Sequence, residues 1–327
     1  MLVTRQIPAA GLKVLEGKVE YEVLAERWPP PREQLIAAVS RGWQGILATL
    51  TEQIDEAVIA ACPGLRVVAN MAVGYDNVDV AAATDRGVVV TNTPGVLTDT
   101  TADFAWTLLL AAARCLPAAQ KYLRDGSWRT WEPEALLGQE VSGATLGIIG
   151  MGRIGAAMAK RARGFDMRVF YHDPVPRLGI AREVGASYRD LPDLLREADF
   201  ISVHVPLTPE TRHLIGPAQL KMMRPTAVLV NTARGPVVDQ RALYEALRDG
   251  EIFAAGIDVY DQEPLPLDDP LLTLDNVVLT PHVASATVAT RGRMAALAAE
   301  NAVAAVRGTR PQHLVNPAAW GKELRGM

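Results

Sequence analysis

The sequence is poor in cysteine, in net charge and in long apolar runs, and each shortage excludes a class of protein. Its two cysteines, Cys62 and Cys115, are too few for a disulfide framework, and they favour reduced thiols in the cytoplasm. A formal net charge of −4 offers no basic surface for nucleic acid. The longest mainly apolar run, residues 104–113, is about half the length that a membrane span needs. The first residues also lack the apolar core of a signal peptide, so we expect no membrane association.

The remaining composition is that of a globular protein with more than one hydrophobic core. Apolar residues make up 49% and charged residues 21% of the chain, which is the ordinary balance. A length of 327 residues exceeds what one core usually serves, so two domains are predicted. The chain has no C-x-x-C or H-E-x-x-H motif, and we expect no metal site.

Short β-rich runs alternate with helical stretches along the whole chain. The first hundred residues predict strands at 2–4, 21–24, 45–48, 67–70 and 88–91, with helices over 31–41, 55–61 and 78–86. One long helix is predicted over 97–118, and later strands at 200–205, 227–231, 254–258 and 276–279 are followed by a final helix over 287–306. This alternation is typical of the α/β class. It predicts two Rossmann-like, doubly wound parallel-sheet domains with a cleft between them.

A glycine triplet stands at the start of the second half. Gly150, Gly152 and Gly155 form G-x-G-x-x-G between an apolar strand and a helix, and Asp173 follows at the end of the next strand. The first glycine permits a tight turn, the second lets the backbone approach a pyrophosphate, and the third brings helix and strand together. The helix N-terminus offers N–H groups and partial positive charge to the phosphates. The segment therefore predicts a dinucleotide site.

The acid at the second strand end indicates which dinucleotide is preferred. Asp173 can accept hydrogen bonds from both adenosine ribose hydroxyls, and it would repel a 2′-phosphate, so NAD(H) is favoured. Arg177, four residues later, could soften this exclusion, which leaves NADP(H) as the alternative.

Three polar residues, Arg234, Glu263 and His282, follow later strands of the same half. Ligands of open α/β sheets lie at the carboxyl ends of the strands, where all three are expected. An arginine binds a carboxylate or carbonyl oxygen through a forked, charged contact. A histidine donates the proton to the oxygen as hydride reaches carbon, and a glutamate orients and stabilises the protonated ring. This trio suits the reduction of a 2-keto acid.

The chain resembles the D-isomer-specific 2-hydroxyacid dehydrogenase family, and within it most closely the glyoxylate/hydroxypyruvate reductases. The motifs that carry the resemblance lie, in the family order, at residues 72–79, 91–103, 147–155, 204–211, 231–235, 258–264 and 280–282. The resemblance implies a flavodoxin-like substrate-binding domain over 1–98 plus 288–327 and an NAD-binding Rossmann domain over 99–287. It also implies a homodimer, with a dimerisation arm near 119–144.

The family also implies a role for each matching residue. Arg234, Glu263 and His282 would be catalytic, and Arg234, His282, Leu50, Val73 and Gly74 would contact substrate. The implied cofactor-binding residues are Thr101, Gly150, Gly152, Arg153, Ile154, Gly155, Asp173, Pro206, Thr211, Thr232, Ala233 and Asp258. Ala284 departs from the glycine that the family usually has after the histidine and its hydrophobic neighbour.

The implied reaction is NAD(P)H-dependent reduction of a small 2-keto acid, namely glyoxylate to glycolate or hydroxypyruvate to D-glycerate. Alternatives within the fold are D-lactate, formate, phosphite or 3-phosphoglycerate as substrate, and a different class is an NAD-sensing co-repressor-like protein. Single residues have ordinary alternatives too. Leu50 could simply be a core residue, Val73 and Gly74 could form an ordinary turn, and Trp128 and Trp131 could pack within one subunit.

Overall fold

A computed structural model describes residues 1–25 and 27–321 of the chain. The end of the predicted first domain, residues 322–327, therefore lies outside the described residues. The chain divides into two compact units. One unit contains Met1–Leu97 and the described residues from Ala286 onward, and the other is Thr98–Ser285.

Strands and helices alternate in both units. The strands are β1 (Leu2–Val3), β2 (Glu22–Val23), β3 (Gly45–Ala48), β4 (Val67–Asn70), β5 (Val89–Thr91), β6 (Thr145–Ile149), β7 (Arg168–His172), β8 (Ala186–Tyr188), β9 (Phe200–Val203), β10 (Val228–Asn231), β11 (Ala254–Ile257) and β12 (Val277–Leu279). The α-helices are α1 (Ala9–Leu15), α2 (Arg32–Val39), α3 (Glu56–Ala60), α4 (Val80–Asp85), α5 (Thr98–Ala113), α6 (Leu116–Arg124), α7 (Arg153–Ala162), α8 (Leu178–Val184), α9 (Leu191–Glu197), α10 (Pro217–Leu220), α11 (Gln240–Arg248) and α12 (Val288–Val306).

Each unit contains one parallel sheet. The first has the strand order β2-β1-β3-β4-β5, the flavodoxin-like order with its topological switch point between β1 and β3. The second has the order β12-β11-β10-β9-β6-β7-β8, which is Rossmann-like, with the switch point between β6 and β9. The predicted class, two α/β units with doubly wound parallel sheets, is confirmed.

Burial on both faces explains why the central strands are mainly apolar rather than alternating between apolar and polar residues. All residues of β3, β4, β6, β9, β10 and β11 are buried. Parallel sheets covered by helices on both sides require such runs. The helices cover them with one apolar face, as α11 does by burying Ala242, Leu243, Ala246 and Leu247.

The predicted single helix over 97–118 is wrong, because the structure has two helices there. α5 ends at Ala113, and α6 begins at Leu116 after Cys115, whose φ of 51° is left-handed. Pro117 occupies the first turn of α6, where its missing N–H costs nothing, whereas inside a continuous helix it would remove a hydrogen bond. Helices α1 and α8 and strand β8 were also absent from the prediction, because they are short and weakly periodic.

Among the described residues, no single helix is both long and apolar enough to cross a membrane. The pair α5 and α6, bent by 59° at their junction, meets the length and composition criteria only when the two are taken together.

Candidate active site

The three glycines of the loop after β6 differ in backbone conformation and in the space around them. Gly150, directly after β6, has a φ of +99°, which L side chains rarely adopt. A Cβ on Gly155 would lie 2.2 Å from the Gly150 carbonyl oxygen, whereas a Cβ on Gly152 would meet no atom within 4 Å. Helix α7 then begins at Arg153. The loop therefore leaves open space in front of a helix N-terminus, and a pyrophosphate fits there.

Asp173 lies just beyond β7 and binds this loop. Its Oδ2 accepts a hydrogen bond from the Met151 N–H at 2.5 Å, and its Oδ1 lies 4.0 Å from Nε of Arg177. The Asp173 side chain is 13% exposed and that of Arg177 is 56% exposed. The carboxylate is thus fixed beside the glycine loop, while the guanidinium extends into solvent.

The side chain of Asn231, the last residue of β10, binds the backbone of the loop that carries Arg234. Asn231 is 1% exposed, its Oδ1 accepts from the Ala233 N–H at 3.0 Å, and its Nδ2 donates to the Arg234 carbonyl oxygen at 2.9 Å. Arg234 Nη1 also donates to the Ala233 carbonyl oxygen at 2.8 Å. A buried amide therefore shapes the turn from inside and leaves the guanidinium partly exposed.

Close backbone packing joins this loop to the next one. A Cβ on Gly235 would lie 1.9 Å from the Tyr260 carbonyl carbon, so only glycine fits. Tyr260 in turn anchors its own loop, because its hydroxyl donates to the Thr280 carbonyl oxygen at 3.0 Å and its N–H donates to Glu263 Oε1 at 3.1 Å. The segments that carry Arg234, Glu263 and His282 are thereby held against one another.

Glu263 and His282 form a hydrogen-bonded pair, with 2.7 Å between Oε2 and Nδ1. The histidine side chain is 22% exposed and the glutamate side chain 30%. Burial opposes ionisation of Glu263, but the hydrogen bond and charge of His282, the Tyr260 N–H and the charge of Arg234 together hold the pKa of Glu263 below its ordinary value. The ionised carboxylate therefore faces Nδ1 and leaves Nε2 as the ring nitrogen that can exchange a proton with a substrate.

Asp258 anchors the segment that carries His282. The carboxylate is fully buried and accepts from the Thr280 hydroxyl at 2.7 Å and from the N–H groups of Val283 and Ala284, each at 2.8 Å. Burial raises the pKa of Asp258 even though these three hydrogen bonds and nearby His282 act in the opposite direction. One acceptor position of Oδ2 is still unused by these bonds, since a carboxylate oxygen can accept two.

His204, at the end of β9, is not a competing proton donor at neutral pH. Burial lowers its pKa to about 4, and its Nε2 lies 2.8 Å from the Ser202 hydroxyl oxygen. The ring is therefore neutral near pH 7 and hydrogen-bonded within its own strand.

The remaining predicted cofactor residues lie on different elements of the second unit, and their contacts differ. Thr232 is 8% exposed, and its hydroxyl has no hydrogen-bond partner among the described residues. Thr211 donates to the Pro206 carbonyl oxygen at 2.6 Å, which closes the turn between them. Thr101 is buried within α5. Arg153 and Ile154 form the first turn of α7.

The three predicted substrate residues of the first unit lie on two loops after neighbouring strands. Leu50 follows β3 and is half-buried, while Val73 and Gly74 follow β4. The Val73 carbonyl oxygen accepts from Asn92 Nδ2 at 2.8 Å, and the Gly74 carbonyl oxygen accepts from Asn70 Nδ2 at 2.9 Å. Within the described residues, the N–H groups of Val73 and Gly74 donate to no protein acceptor. Two adjacent free donors of this kind suit an anion.

Three residues that position the site were not predicted from the sequence, namely Asn231, Tyr260 and Thr280. The strand-end asparagine was visible in the motif, but its two backbone partners depend on the turn that follows. Among the described residues, no cluster of three or more His, Cys, Asp or Glu side chains is arranged to hold a metal ion.

Comparisons with known proteins show which family the chain resembles. Residues 106–284 match the family model described as D-isomer specific 2-hydroxyacid dehydrogenase, NAD binding domain. A glyoxylate reductase from Korarchaeum cryptofilum is 54% identical over 97% of this chain and 95% of its own length. A glyoxylate reductase from Aeropyrum pernix is 50% identical with the same coverage.

Solved structures give the same result over nearly the whole chain. A glyoxylate reductase from Paecilomyes thermophila superposes with a TM-score of 0.85 at 32% identity, covering 96% of this chain and 97% of its own. An NADPH-dependent glyoxylate/hydroxypyruvate reductase from Sinorhizobium meliloti, in complex with NADP and malonate, gives 0.84 at 36% identity, covering 98% and 97%. The resemblance predicted from the sequence motifs is confirmed, and the chain belongs to the D-isomer specific 2-hydroxyacid dehydrogenase family.

Proposed function

We propose that this protein reduces glyoxylate to glycolate and hydroxypyruvate to D-glycerate with a nicotinamide dinucleotide. The observation that carries the proposal is the 2.7 Å pair of Glu263 and His282 beside Arg234, in a chain about half identical to glyoxylate reductases. An acid/base group and a cation for a carboxylate are the two side-chain functions that keto-acid reduction requires.

The second unit has the features of a cofactor domain. Gly150, Gly152 and Gly155, with Arg153 and Ile154, would face the pyrophosphate, and Asp173 the adenosine ribose. The remaining predicted contacts are Thr101, Pro206, Thr211, Thr232, Ala233 and Asp258. The unpartnered Thr232 hydroxyl and the unused acceptor position on Asp258 are polar groups that a bound nucleotide could pair. When bound, the nicotinamide supplies the hydride that adds to the keto carbon.

The catalytic residues bind the charged substrate and transfer the proton. Arg234 binds the substrate carboxylate or carbonyl oxygen and orients the keto group. His282 donates the proton from Nε2 to the carbonyl oxygen as that oxygen becomes an alkoxide. Glu263 accepts from Nδ1–H throughout, which fixes the tautomer and stabilises the protonated ring.

The first unit would recognise the substrate. Val73 and Gly74 present their two free N–H groups to the substrate carboxylate, and Leu50 walls the side of the pocket that the keto-acid side chain meets. An arginine cluster for a phosphorylated substrate is not part of this set, so small acids are favoured over 3-phosphoglycerate.

Cofactor preference and assembly complete the proposal. Asp173 favours NAD(H), while the partly exposed Arg177 keeps NADP(H) as an alternative. Exposed apolar side chains within the predicted arm near 119–144, including Trp131 at 79%, support a homodimer formed through this arm. Cys62 and Cys115 are free thiols, which supports the cytoplasm as the compartment.

The test is a steady-state nicotinamide absorbance assay that crosses NADH and NADPH with glyoxylate, hydroxypyruvate and pyruvate. We expect turnover of the first two acids and a preference for NADH. Fast turnover of pyruvate alone would reassign the protein to D-lactate chemistry. Tight NADH binding with no turnover of any acid would contradict the enzyme proposal and favour an NAD sensor.

A further inference from the structure

A buried carboxylate lies at the switch point of the first sheet. Glu52 is 3% exposed and follows β3, next to the end of β1. In sheets of this order, ligands bind outside the carboxyl ends of the strands where the winding direction reverses. Glu52 lies two residues beyond Leu50, so it belongs to the same short loop as the predicted pocket wall.

Every neighbour that Glu52 contacts through its carboxylate is a donor. Its Oε2 accepts from the Thr49 N–H at 2.7 Å and from the Thr4 hydroxyl at 2.8 Å, and its Oε1 accepts from the Thr51 hydroxyl at 2.8 Å. Arg5 Nε lies 3.6 Å from Oε1. A glutamine in this position would lose one acceptor oxygen and would place an N–H₂ group beside the Arg5 guanidinium, which can only donate. The carboxylate therefore ties the loop after β3 to the residues that follow β1.

A second buried side chain joins this loop to the next one. Asn77 is 5% exposed, and its Nδ2 donates to the carbonyl oxygens of Thr49 and Glu52, both at 3.0 Å. Asn70 Nδ2 donates to Asn77 Oδ1 at 3.1 Å and to the Gly74 carbonyl oxygen at 2.9 Å. The Glu52 loop and the loop that carries Val73 and Gly74 are thus parts of one buried polar network.

This network is costly unless all its members are paired. Burying a carboxylate and two amides requires that each polar atom find a partner. The two loops that it connects are the ones that carry the predicted substrate contacts of this unit. A rigid pocket wall is important there. An apolar pocket discriminates by only about 10–200-fold in kcat/KM between acids that differ by one small group, and a mobile wall would lose that discrimination.

We propose that Glu52 is a positioning residue that sets substrate-size discrimination by fixing the Leu50 loop against the Val73–Gly74 loop through Asn77. The inference rests on the proposed function for the identity of the acids. Glyoxylate and hydroxypyruvate differ by a hydroxymethyl group on the keto carbon. A Leu50 side chain that is held in place limits the space available for that group. Releasing the loop favours the larger acid relative to the smaller one.

The test compares Glu52→Gln with the wild type by steady-state kinetics with glyoxylate and hydroxypyruvate. We expect KM for glyoxylate to rise about tenfold, kcat to change less than about threefold, and the kcat/KM ratio to move about fivefold or more towards hydroxypyruvate. The NADH dissociation constant, measured by fluorescence, should be unchanged, because the cofactor residues lie in the other unit. An unchanged substrate ratio in the variant overturns the inference.

Two controls separate positioning from general destabilisation. Glu33→Gln alters an exposed glutamate of α2 and should match the wild type. Leu35→Ala creates a core cavity in the same unit without touching the network, so it should lower Tm without moving the substrate ratio. A ratio that moves equally in Leu35→Ala would show that Glu52 acts only through stability.

Equilibrium binding separates this inference from the proposed function. Calorimetric binding of both acids to NAD⁺-loaded protein reports discrimination when no hydride can be transferred. Wild-type binding without turnover, with discrimination lost in Glu52→Gln, overturns the proposed reaction and supports the positioning role. If the wild type reduces the acids and Glu52→Gln keeps the same substrate ratio, the proposed reaction is supported and the positioning role is overturned. A wild type that neither binds nor reduces either acid overturns both.

Discussion

At the residue scale, the pair of His282 and Glu263 carries the most specific prediction. His282→Ala removes the proton donor, so kcat for keto-acid reduction should fall by roughly 10²–10⁴-fold. Stopped-flow measurement of NADH oxidation checks this under saturating substrate. His204→Gln, which replaces a ring that is neutral near pH 7, is the matched control and should keep kcat within about tenfold. Near-normal turnover in His282→Ala would remove this residue from the mechanism.

The same pair predicts a pH dependence with a definite sign. Because the pKa of Glu263 lies below its ordinary value, its carboxylate is ionised across the neutral range and can accept from Nδ1 of His282. The rate of reduction should therefore be retained at neutral pH and fall as the pH drops through this lowered pKa and the carboxylate is protonated. Glu263→Gln has no carboxylate to protonate there, so its kcat should be lower and this acid-side fall should be absent. Profiles of kcat against pH for the two proteins check this, and the same acid-side fall in both would contradict the role given to Glu263.

Asp173 carries a prediction on cofactor choice. Asp173→Asn keeps an oxygen that can accept from the Met151 N–H but removes the charge that repels a 2′-phosphate. The ratio of kcat/KM for NADPH to that for NADH should rise by about tenfold, equivalent to about 1.4 kcal/mol. Asp193→Asn in α9 removes an exposed charge of the same unit and should leave the ratio unchanged. A ratio that stays constant in Asp173→Asn would mean that Arg177 or another group sets the preference.

At the scale of elements, the strands could be predicted better than the connections between them. β3 and β4 were predicted to the residue, because a strand buried on both faces is a mainly apolar run. The break between α5 and α6 was missed although Pro117 signals a helix start, since the apolar residues on both sides read as one period. Arg234, Glu263 and His282 were predicted to lie together because ligands of open α/β sheets bind at the carboxyl ends of the strands.

The tertiary hydrogen bonds could not be predicted from the sequence, for a physical reason. Asn231 binds the backbone of residues two and three positions later, but Asp258 binds Val283 and Ala284, more than twenty residues away. Glu52 likewise binds Thr4 across 48 positions. No local pattern of spacing or polarity indicates such partners in a single sequence.

The contact between the Arg234 loop and the Tyr260 loop gives a prediction at this scale. In Gly235→Ala the new Cβ collides with backbone rather than with a flexible side chain, so the loops must separate. We expect a loss of about 1–3 kcal/mol in the free energy of unfolding and a fall in kcat/KM of at least about tenfold, as Arg234 shifts. Chemical denaturation and steady-state kinetics measure the two effects.

A glycine in open space provides the control. Gly179 lies inside α8, and a Cβ there meets no atom within 4 Å. Gly179→Ala should therefore be neutral or stabilising by up to about 1 kcal/mol, with unaltered kinetics. Equal behaviour of the two variants would show that the loops tolerate separation and that close packing does not hold Arg234.

At the scale of the whole molecule, the distribution of apolar surface is uneven. Six large apolar side chains within residues 116–137 are at least 40% exposed: Leu116, Leu123, Trp128, Trp131, Leu136 and Leu137. A groove of about 220 Å³ is lined in part by Leu136 and Leu137 together with Cys115. Exposed apolar surface concentrated in one segment is typical of an interface and costly against water. A second copy of the chain is the occupant that the homodimer proposal requires.

This surface gives the last prediction. The wild type should sediment at twice its chain mass of 35.2 kDa. Trp128→Glu/Leu137→Glu should raise the dimer dissociation constant by at least about tenfold, because two carboxylates of each chain would be desolvated at the interface. Leu267→Glu changes a leucine that is 97% exposed outside this segment, and it should sediment like the wild type. Analytical ultracentrifugation over a concentration series separates the outcomes. A wild-type protein that is monomeric throughout would mean that this apolar segment serves another partner, and a double variant that stays fully dimeric would place the interface elsewhere.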